Sequence, residues 1–216
     1  MADEVWLLRH AETEWSRTGK HTGRTDIPLT DEGRKVAGAL RARLEGHAFA
    51  LVLCSPLMRA RETASLAGLE CSGLRDDLLE WDYGVYEGRR TSDVQATDPG
   101  WTVWTGPITG GESLADVGAR ADRVIAQVAA LDGLTVLVAH AHLLRILAAR
   151  WCGLDPIGGR ILTLDPASVS VLGHERDTRV IERWNLAPPP IDEHVTGASG
   201  AAATISRMSA DGSPTS

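Results

Sequence analysis

Two histidines and two arginines follow directly on short apolar runs, and those positions suit chemistry on an oxyanion. Val5-Trp6-Leu7-Leu8 leads into Arg9-His10-Ala11-Glu12-Thr13. Leu51-Val52-Leu53-Cys54 leads into Ser55-Pro56-Leu57-Met58-Arg59, and Leu134-Thr135-Val136-Leu137-Val138-Ala139 leads into His140-Ala141-His142. A guanidinium offers phosphate a planar fork of donors, and a neutral imidazole nitrogen can attack phosphorus. One such pair after a strand is ordinarily an exposed loop. Three strand ends that repeat the arrangement are hard to obtain from packing needs alone.

The elements that must position these groups read as α/β. Four to eight apolar residues bounded by polar ones form a buried strand, and open sheets bind ligands beyond the carboxyl ends of such strands. Ser55 can cap a helix whose first turn accepts Pro56, which puts Arg59 in that turn near free backbone donors. A helix is expected from about Asp31 to Leu44, with Val36, Leu40 and Leu44 on one face. Another starts at Ser113, capped with Asp116 three residues on, followed by Leu114, Val117, Ala121, Val124, Val128 and Leu131 at helical spacing. A further helix spans Leu143 to Trp151, and late strands are expected at Ile161 to Leu164, Val169 to Leu172 and Val180 to Trp184.

In this order the motifs resemble the histidine phosphatase superfamily, over about Val5 to Trp151. The residues that carry the likeness are Arg9-His10-Ala11-Glu12-Thr13 with Trp15-Ser16, then His21-Thr22-Gly23-Arg24-Thr25-Asp26-Ile27-Pro28-Leu29-Thr30. The Ser55 to Thr63 stretch follows, then Leu79-Glu80-Trp81-Asp82-Tyr83-Gly84, Gly111-Glu112-Ser113 and Val138-Ala139-His140. Ala11 and Ala141 stand where that family usually has Gly, and Ser16 where it has Asn. An added methyl narrows the room beside a phosphate.

The resemblance implies a three-layer α/β/α sandwich around a mostly parallel, mixed sheet of the phosphoglycerate mutase-like kind. It leans toward the sedoheptulose-bisphosphatase and acid-phosphatase branch, through Thr22-Gly23, Glu80-Trp81-Asp82-Tyr83-Gly84, Trp104 and His140-x-His142-x-x-Arg145. The implied activity is hydrolysis of a small phosphomonoester, a sugar phosphate or bisphosphate, through a phosphohistidine on His10. The alternatives are a bisphosphoglycerate-dependent mutase, in which Arg89 and Arg90 would stand in for a lysine absent at Thr91, and a non-catalytic phosphate-binding module on the same fold.

In the hydrolytic scheme Arg9, Arg59 and His140 neutralise the equatorial oxygens. Glu80, between Leu78-Leu79 and Trp81, is the candidate proton donor, with apolar surroundings expected to raise its pKa. Substrate contacts are expected from Ser16, Thr22, Gly23, Tyr83, Ala141 and His142. Glu12 is expected to position a loop, and Arg145 to serve as a salt-bridge or cap residue. His21, His47, His174 and His194 receive no role.

Competing chemistries find little support. Gly106-Pro107-Ile108-Thr109-Gly110-Gly111-Glu112-Ser113 has the outline of a nucleotide-binding loop, but Glu112 occupies the lysine position and would repel phosphates. Cys54, Cys71 and Cys152 lie far apart with no Cys-x-x-Cys or His-Glu-x-x-His pattern, so no metal and no cofactor are expected. A net charge of −7 argues against nucleic acid as a partner. A small phosphorylated metabolite is expected instead, with a homodimer left open.

At 216 residues and 43% hydrophobic content, one α/β domain with an aliphatic core is the natural size class. That domain is expected over 1–186, with a flexible tail over 187–216 where Pro, Gly, Ala, Ser and Thr take over. Trp15, Trp81, Trp101 and Trp104 are the tryptophans expected near a cleft. Three unpaired-looking cysteines and no segment of signal-peptide or membrane-span length suggest the cytosol.

Overall fold

Strand β1 (Ala2–Arg9) runs through the middle of the sheet, and all of Val5 to Leu8 is buried. The computed structural model describes residues 2–190. Along the chain follow α1 (Glu14–Arg17), α2 (Asp31–Ala39), α3 (Arg41–Leu44), β2 (Phe49–Cys54), α4 (Met58–Leu66) and β3 (Gly73–Leu74). Then come α5 (Thr91–Gln95), α6 (Leu114–Ala129), β4 (Gly133–Ala139), α7 (Ala141–Trp151), β5 (Val169–Glu175) and β6 (Thr178–Leu186).

The sheet order is β3-β2-β4-β1-β5-β6. The first four strands are parallel, and β5 and β6 are antiparallel additions beside β1. Side chains alternate between the two faces, as a pleated strand requires. Val5, Leu7, Leu53, Leu137 and Ala139 pack with α6 and α7. Trp6, Leu8, Val52, Val136 and Val138 pack with α2 and α4 on the other side. Both faces are thus covered, which is why the central strands read as unbroken apolar runs. This is the expected three-layer arrangement around a mixed sheet.

Register fixes the site. Arg9 pairs with Ala139, and Cys54 with Val138, so β1, β4 and β2 end at one level. The ladder carries one bond further on each side, from His10 N–H to Ala139 O at 2.9 Å and from Ser55 N–H to Val138 O at 2.9 Å. His10, Ser55 and His140 therefore leave the sheet as neighbours.

Several local expectations need correction. The helix expected over Asp31 to Leu44 is interrupted at buried Leu40 into α2 and α3. No strand forms at Ile161 to Leu164, because that segment's carbonyls go to side chains: Leu164 O accepts from Arg9 Nη1, and Thr163 O from Trp184 Nε1 at 2.5 Å. Ser55 does not cap α4, which begins at Met58 with Leu57 before it. The cysteines are not all unpaired: Cys54 and Cys71 form a disulfide, with Cα atoms 6.0 Å apart, and only Cys152 is free. The chain returns beside the end of β2 before entering β3, which joins two residues that sequence spacing leaves apart. The cytosolic inference loses one of its two supports. Among the described residues no helix is long and apolar enough to cross a membrane. From residue 191 onward the expected tail lies outside the described residues.

Candidate active site

His10 sits 4% exposed at the end of β1, and its Nδ1 lies 2.7 Å from the carbonyl oxygen of Ala11. A carbonyl only accepts, so Nδ1 carries the proton and Nε2 keeps a lone pair. Burial holds the imidazole well below the usual histidine pKa, and the charges of Arg59 and Arg9 add to that. The ring is neutral and oriented, with a lone pair left on Nε2.

His140 packs against it, with ring centroids 5.1 Å apart and planes at 59°. At that separation the two rings are in contact. His140 is fully buried, and both of its nitrogens have protein partners. Nδ1 accepts from Arg59 Nε at 3.2 Å, so the proton rests on Nε2, which donates to Ser55 Oγ at 2.7 Å.

Arg59, also fully buried, turns its fork to backbone: Nη1 donates to Thr25 O at 3.0 Å, and Nη2 to Thr22 O at 3.1 Å and Gly23 O at 2.9 Å. Arg59 and His140 thus stand behind the cavity wall rather than on it. Gly23 is part of the same close packing, since a Cβ there would fall 2.3 Å from Trp81 O.

The cavity itself measures about 460 Å³, within the range of small-molecule sites. Arg9, His10, Glu80, Tyr83, Ala141 and His142 line it. Arg9 donates from Nη1 to Leu164 O, yet its buried Nε has no partner. A buried donor left unpaired is costly. Burial pulls the Arg9 pKa down to about 10, opposed by the charges of Glu80 and Asp165, so the group stays cationic at neutral pH.

Glu80, 4% exposed, bridges two loops. Its Oε1 accepts from Trp81 N at 2.9 Å and Leu143 N at 2.9 Å, and Oε2 from His142 N at 3.0 Å. The carboxyl therefore caps the first turn of α7. The expected apolar surroundings of Glu80 are joined by these three backbone donors. Glu80 takes the N–H groups of His142 and Leu143 and leaves that of Ala141, the first residue of α7. Buried Arg120 fixes the same loop from behind, donating to the carbonyls of Asp77 at 2.9 Å, Leu79 at 2.8 Å and Glu80 at 3.3 Å and to Glu112 at 2.7 Å. Glu112, which spoils the nucleotide-loop outline, is thus an anchor for the acid-bearing loop.

Tyr83 Oη lies 2.6 Å from His142 Nδ1. Burial raises the phenol pKa well above its ordinary value and lowers that of the imidazole, with Arg145 adding to the latter, so both are neutral. When the phenol donates here, His142 presents Nε2–H.

The remaining predicted contacts divide. Thr22 lines the cavity and Gly23 does not. Ser16 lines it, but its hydroxyl donates to Thr13 O at 3.1 Å and accepts from Thr13 N at 2.9 Å, completing the cap of α1. Glu12 holds a loop, as expected, by accepting from Thr30 Oγ1 at 2.9 Å. Of the four tryptophans expected near a cleft, Trp104 lines this cavity, while Trp81 and Trp101 are buried in the core.

Lys20, His21 and Arg145 also line the cavity, and sequence reading gave none of them a place there. His21 packs on Tyr83 with centroids 4.9 Å apart, and burial lowers its pKa. For Arg145 the interval from His140 was a usable signal: five residues into a helix that starts at the site, a side chain can return to it.

Comparisons with known proteins identify relatives named as phosphatases. An acid phosphatase of Mycobacterium tuberculosis is 40% identical over 194 residues, covering 86% of this chain and 94% of that one. A sedoheptulose 1,7-bisphosphatase of Saccharomyces cerevisiae is 32% identical over 181 residues, covering 68% and 67%. The solved structure of an open reading frame product from Mycobacterium tuberculosis superposes with a TM-score of 0.80 at 38% identity, covering 87% of this chain and 99% of that one. The family model of the histidine phosphatase superfamily, branch 1, matches residues 5–187. With that match spanning most of its length, the chain belongs to the histidine phosphatase superfamily.

Proposed function

We propose that this protein hydrolyses a small phosphomonoester, a sugar phosphate or bisphosphate, through a phosphohistidine formed on His10. The observation that carries the reading is the 2.7 Å bond from His10 Nδ1 to Ala11 O, which leaves Nε2 unprotonated in a ring that lines the same cavity as Arg9. The phosphatase names of the two relatives support the hydrolytic outcome.

In the first step Nε2 of His10 bonds to phosphorus in line as the ester P–O bond breaks. Arg9 and the N–H of Ala141 receive the equatorial oxygens, and Arg59 adds its charge from behind the wall. The departing alkoxide takes a proton from Glu80, whose Oε2 accepts one backbone N–H and retains a lone-pair position for that proton. In the second step a water attacks the phosphohistidine and gives a proton back to Glu80. The P–N bond breaks, orthophosphate leaves, and neutral His10 returns. His142 offers its Nε2–H to the substrate's alcohol portion.

The test is a product screen across sugar phosphates, sugar bisphosphates and phosphoglycerates. The expected result is orthophosphate release equal to substrate consumed, without a bisphosphorylated primer. Transfer of the phosphoryl group to a second organic acceptor in place of water would overturn the hydrolytic reading.

A further inference from the structure

Arg9 takes its direction from a segment that has no regular structure of its own. Residues 162–168, ahead of β5, form neither helix nor strand. Within them Ala167 has a φ of 57°, a left-handed conformation that a residue with a side chain keeps only where its surroundings over-determine it. The segment lies along the end of β1, with Ala167 N–H donating to His10 O and Arg9 N–H to Ser168 O, each at 3.2 Å. Leu164 lines the cavity, and among the described residues its carbonyl is the one protein acceptor of the Arg9 guanidinium. Where that carbonyl stands decides where the fork points.

Strand β6 fixes it. The pairing of β6 with β5 slips between Val169 with Leu186 and Val171 with Arg183, so Trp184 and Asn185 together face the single residue Ser170. This is a β-bulge, in which Asn185 takes a φ of 55° and turns its N–H to Ser170 Oγ at 2.9 Å. In a regular strand two successive side chains point to opposite faces, whereas here both reach the same segment. Trp184 Nε1 donates to Thr163 O at 2.5 Å. Asn185 Oδ1 accepts from Asp165 N at 2.7 Å, and its Nδ2 donates to Asp165 Oδ2 at 2.8 Å. The two residues that flank Leu164 are thus both tied to β6, and the carboxylate of Asp165, whose charge acts on Arg9, is held by the same amide. Trp184 and Asn185 are only half-buried, and Thr163 and Asp165 are exposed, so these contacts add little to the core.

Resting on the phosphatase reading above, in which Arg9 receives phosphoryl oxygens, we propose that Trp184 and Asn185 are positioning residues for Arg9: the bulge of β6 aims an indole and an amide at the neighbours of Leu164 and so orients the guanidinium toward the phosphoryl site. Neither side chain lines the cavity, so both act through Arg9. A fork that is oriented before the anion arrives spares the ordering that binding would otherwise require.

The test is titration calorimetry of the full chain with inorganic phosphate, in which Kd reports the site and the stoichiometry reports the folded fraction. Asn185→Gly removes the amide and leaves the positive φ unstrained, and Trp184→Phe removes the indole N–H but keeps a ring. Each is expected to raise Kd about threefold or more, and the two together about tenfold, the scale of one or two ordinary hydrogen bonds, at unchanged stoichiometry. In an Arg9→Lys background, where a flexible ammonium replaces the plane that Leu164 O orients, Asn185→Gly should change Kd by less than about twofold. An unchanged Kd with a lowered stoichiometry marks a purely structural role and would overturn the proposal, as would an equal loss of affinity in the Arg9→Lys background or a wild type that binds no phosphate. Turnover of p-nitrophenyl phosphate is scored separately. A wild type that binds phosphate but hydrolyses nothing ends the phosphatase reading, and the ratios of Kd still decide the role of Trp184 and Asn185.

Discussion

The Nε–H of Arg59 donates to Nδ1 of His140 at 3.2 Å, inside a region where both residues are fully buried. This one bond sets the tautomer of His140, sends its Nε2 proton to Ser55 and keeps a positive charge close to His10. Arg59→Met should therefore raise the His10 pKa toward the ordinary histidine value, because one of the charges that depress it is gone. Histidine-resolved NMR titration reads the shift. An unchanged His10 titration would show that burial and the charge of Arg9 hold the ring neutral without Arg59.

Ser55→Ala leaves the Nε2–H of His140 without an acceptor in a dry site. A buried donor stripped of its partner costs about 1–3 kcal/mol. Denaturant unfolding should show a loss of that size. A loss near zero would mean that His140 adopts its other tautomer without penalty.

Glu80 holds one proton in the proposed cycle, so its importance depends on the leaving group. In Glu80→Gln, turnover of an alkyl phosphate should fall far more than turnover of p-nitrophenyl phosphate, whose leaving group needs no proton. Equal losses on both substrates would remove Glu80 from the acid role.

Much of this was legible in the sequence, and the reasons are physical. Apolar runs ending in polar residues gave β1, β2 and β4, and parallel register then brings His10, Ser55 and His140 to one edge. The orientation of Arg59 was not legible, because the carbonyls of Thr22, Gly23 and Thr25 that receive it have no residue-type signature. His21, Lys20 and Arg145 reach the cavity only through the path of loops and the pitch of α7. The Cys54–Cys71 disulfide depends on where the chain returns after α4, which spacing does not reveal.

Arg120 is a positioning residue. It reaches the acid-bearing loop through three carbonyls and pairs with Glu112 at 2.7 Å, with both side chains largely buried. Removing one partner of such a pair typically costs about 3–5 kcal/mol. Arg120→Met should lower stability by that order. In the fraction that stays folded, the alkyl phosphate should be affected more than p-nitrophenyl phosphate, as for Glu80→Gln. A purely structural role would lower both rates alike.

Two of the depressed rings at the site also set an acid limit, to which His142 adds in the same direction. His10 and His140 have pKa values depressed well below the ordinary 6.5, with burial as the largest cause. The unfolded chain therefore binds protons below that pH that the folded chain refuses. Their contribution is fully present above pH 6.5 and is lost as pH falls toward the folded values, at about 1.4 kcal/mol per pH unit for each ring. Urea unfolding at pH 7.5 and at pH 5.5 should show a drop of about 3 kcal/mol from this pair. Equal stability at both values would contradict neutral burial.

The most direct measurement is capture of the covalent intermediate. Wild-type protein mixed with a phosphomonoester, quenched in alkali and mapped by mass spectrometry should carry one phosphoryl group on His10, at Nε2. His10→Ala should carry none and lose turnover. A phosphoryl group on another residue, or full turnover by His10→Ala, would contradict the account.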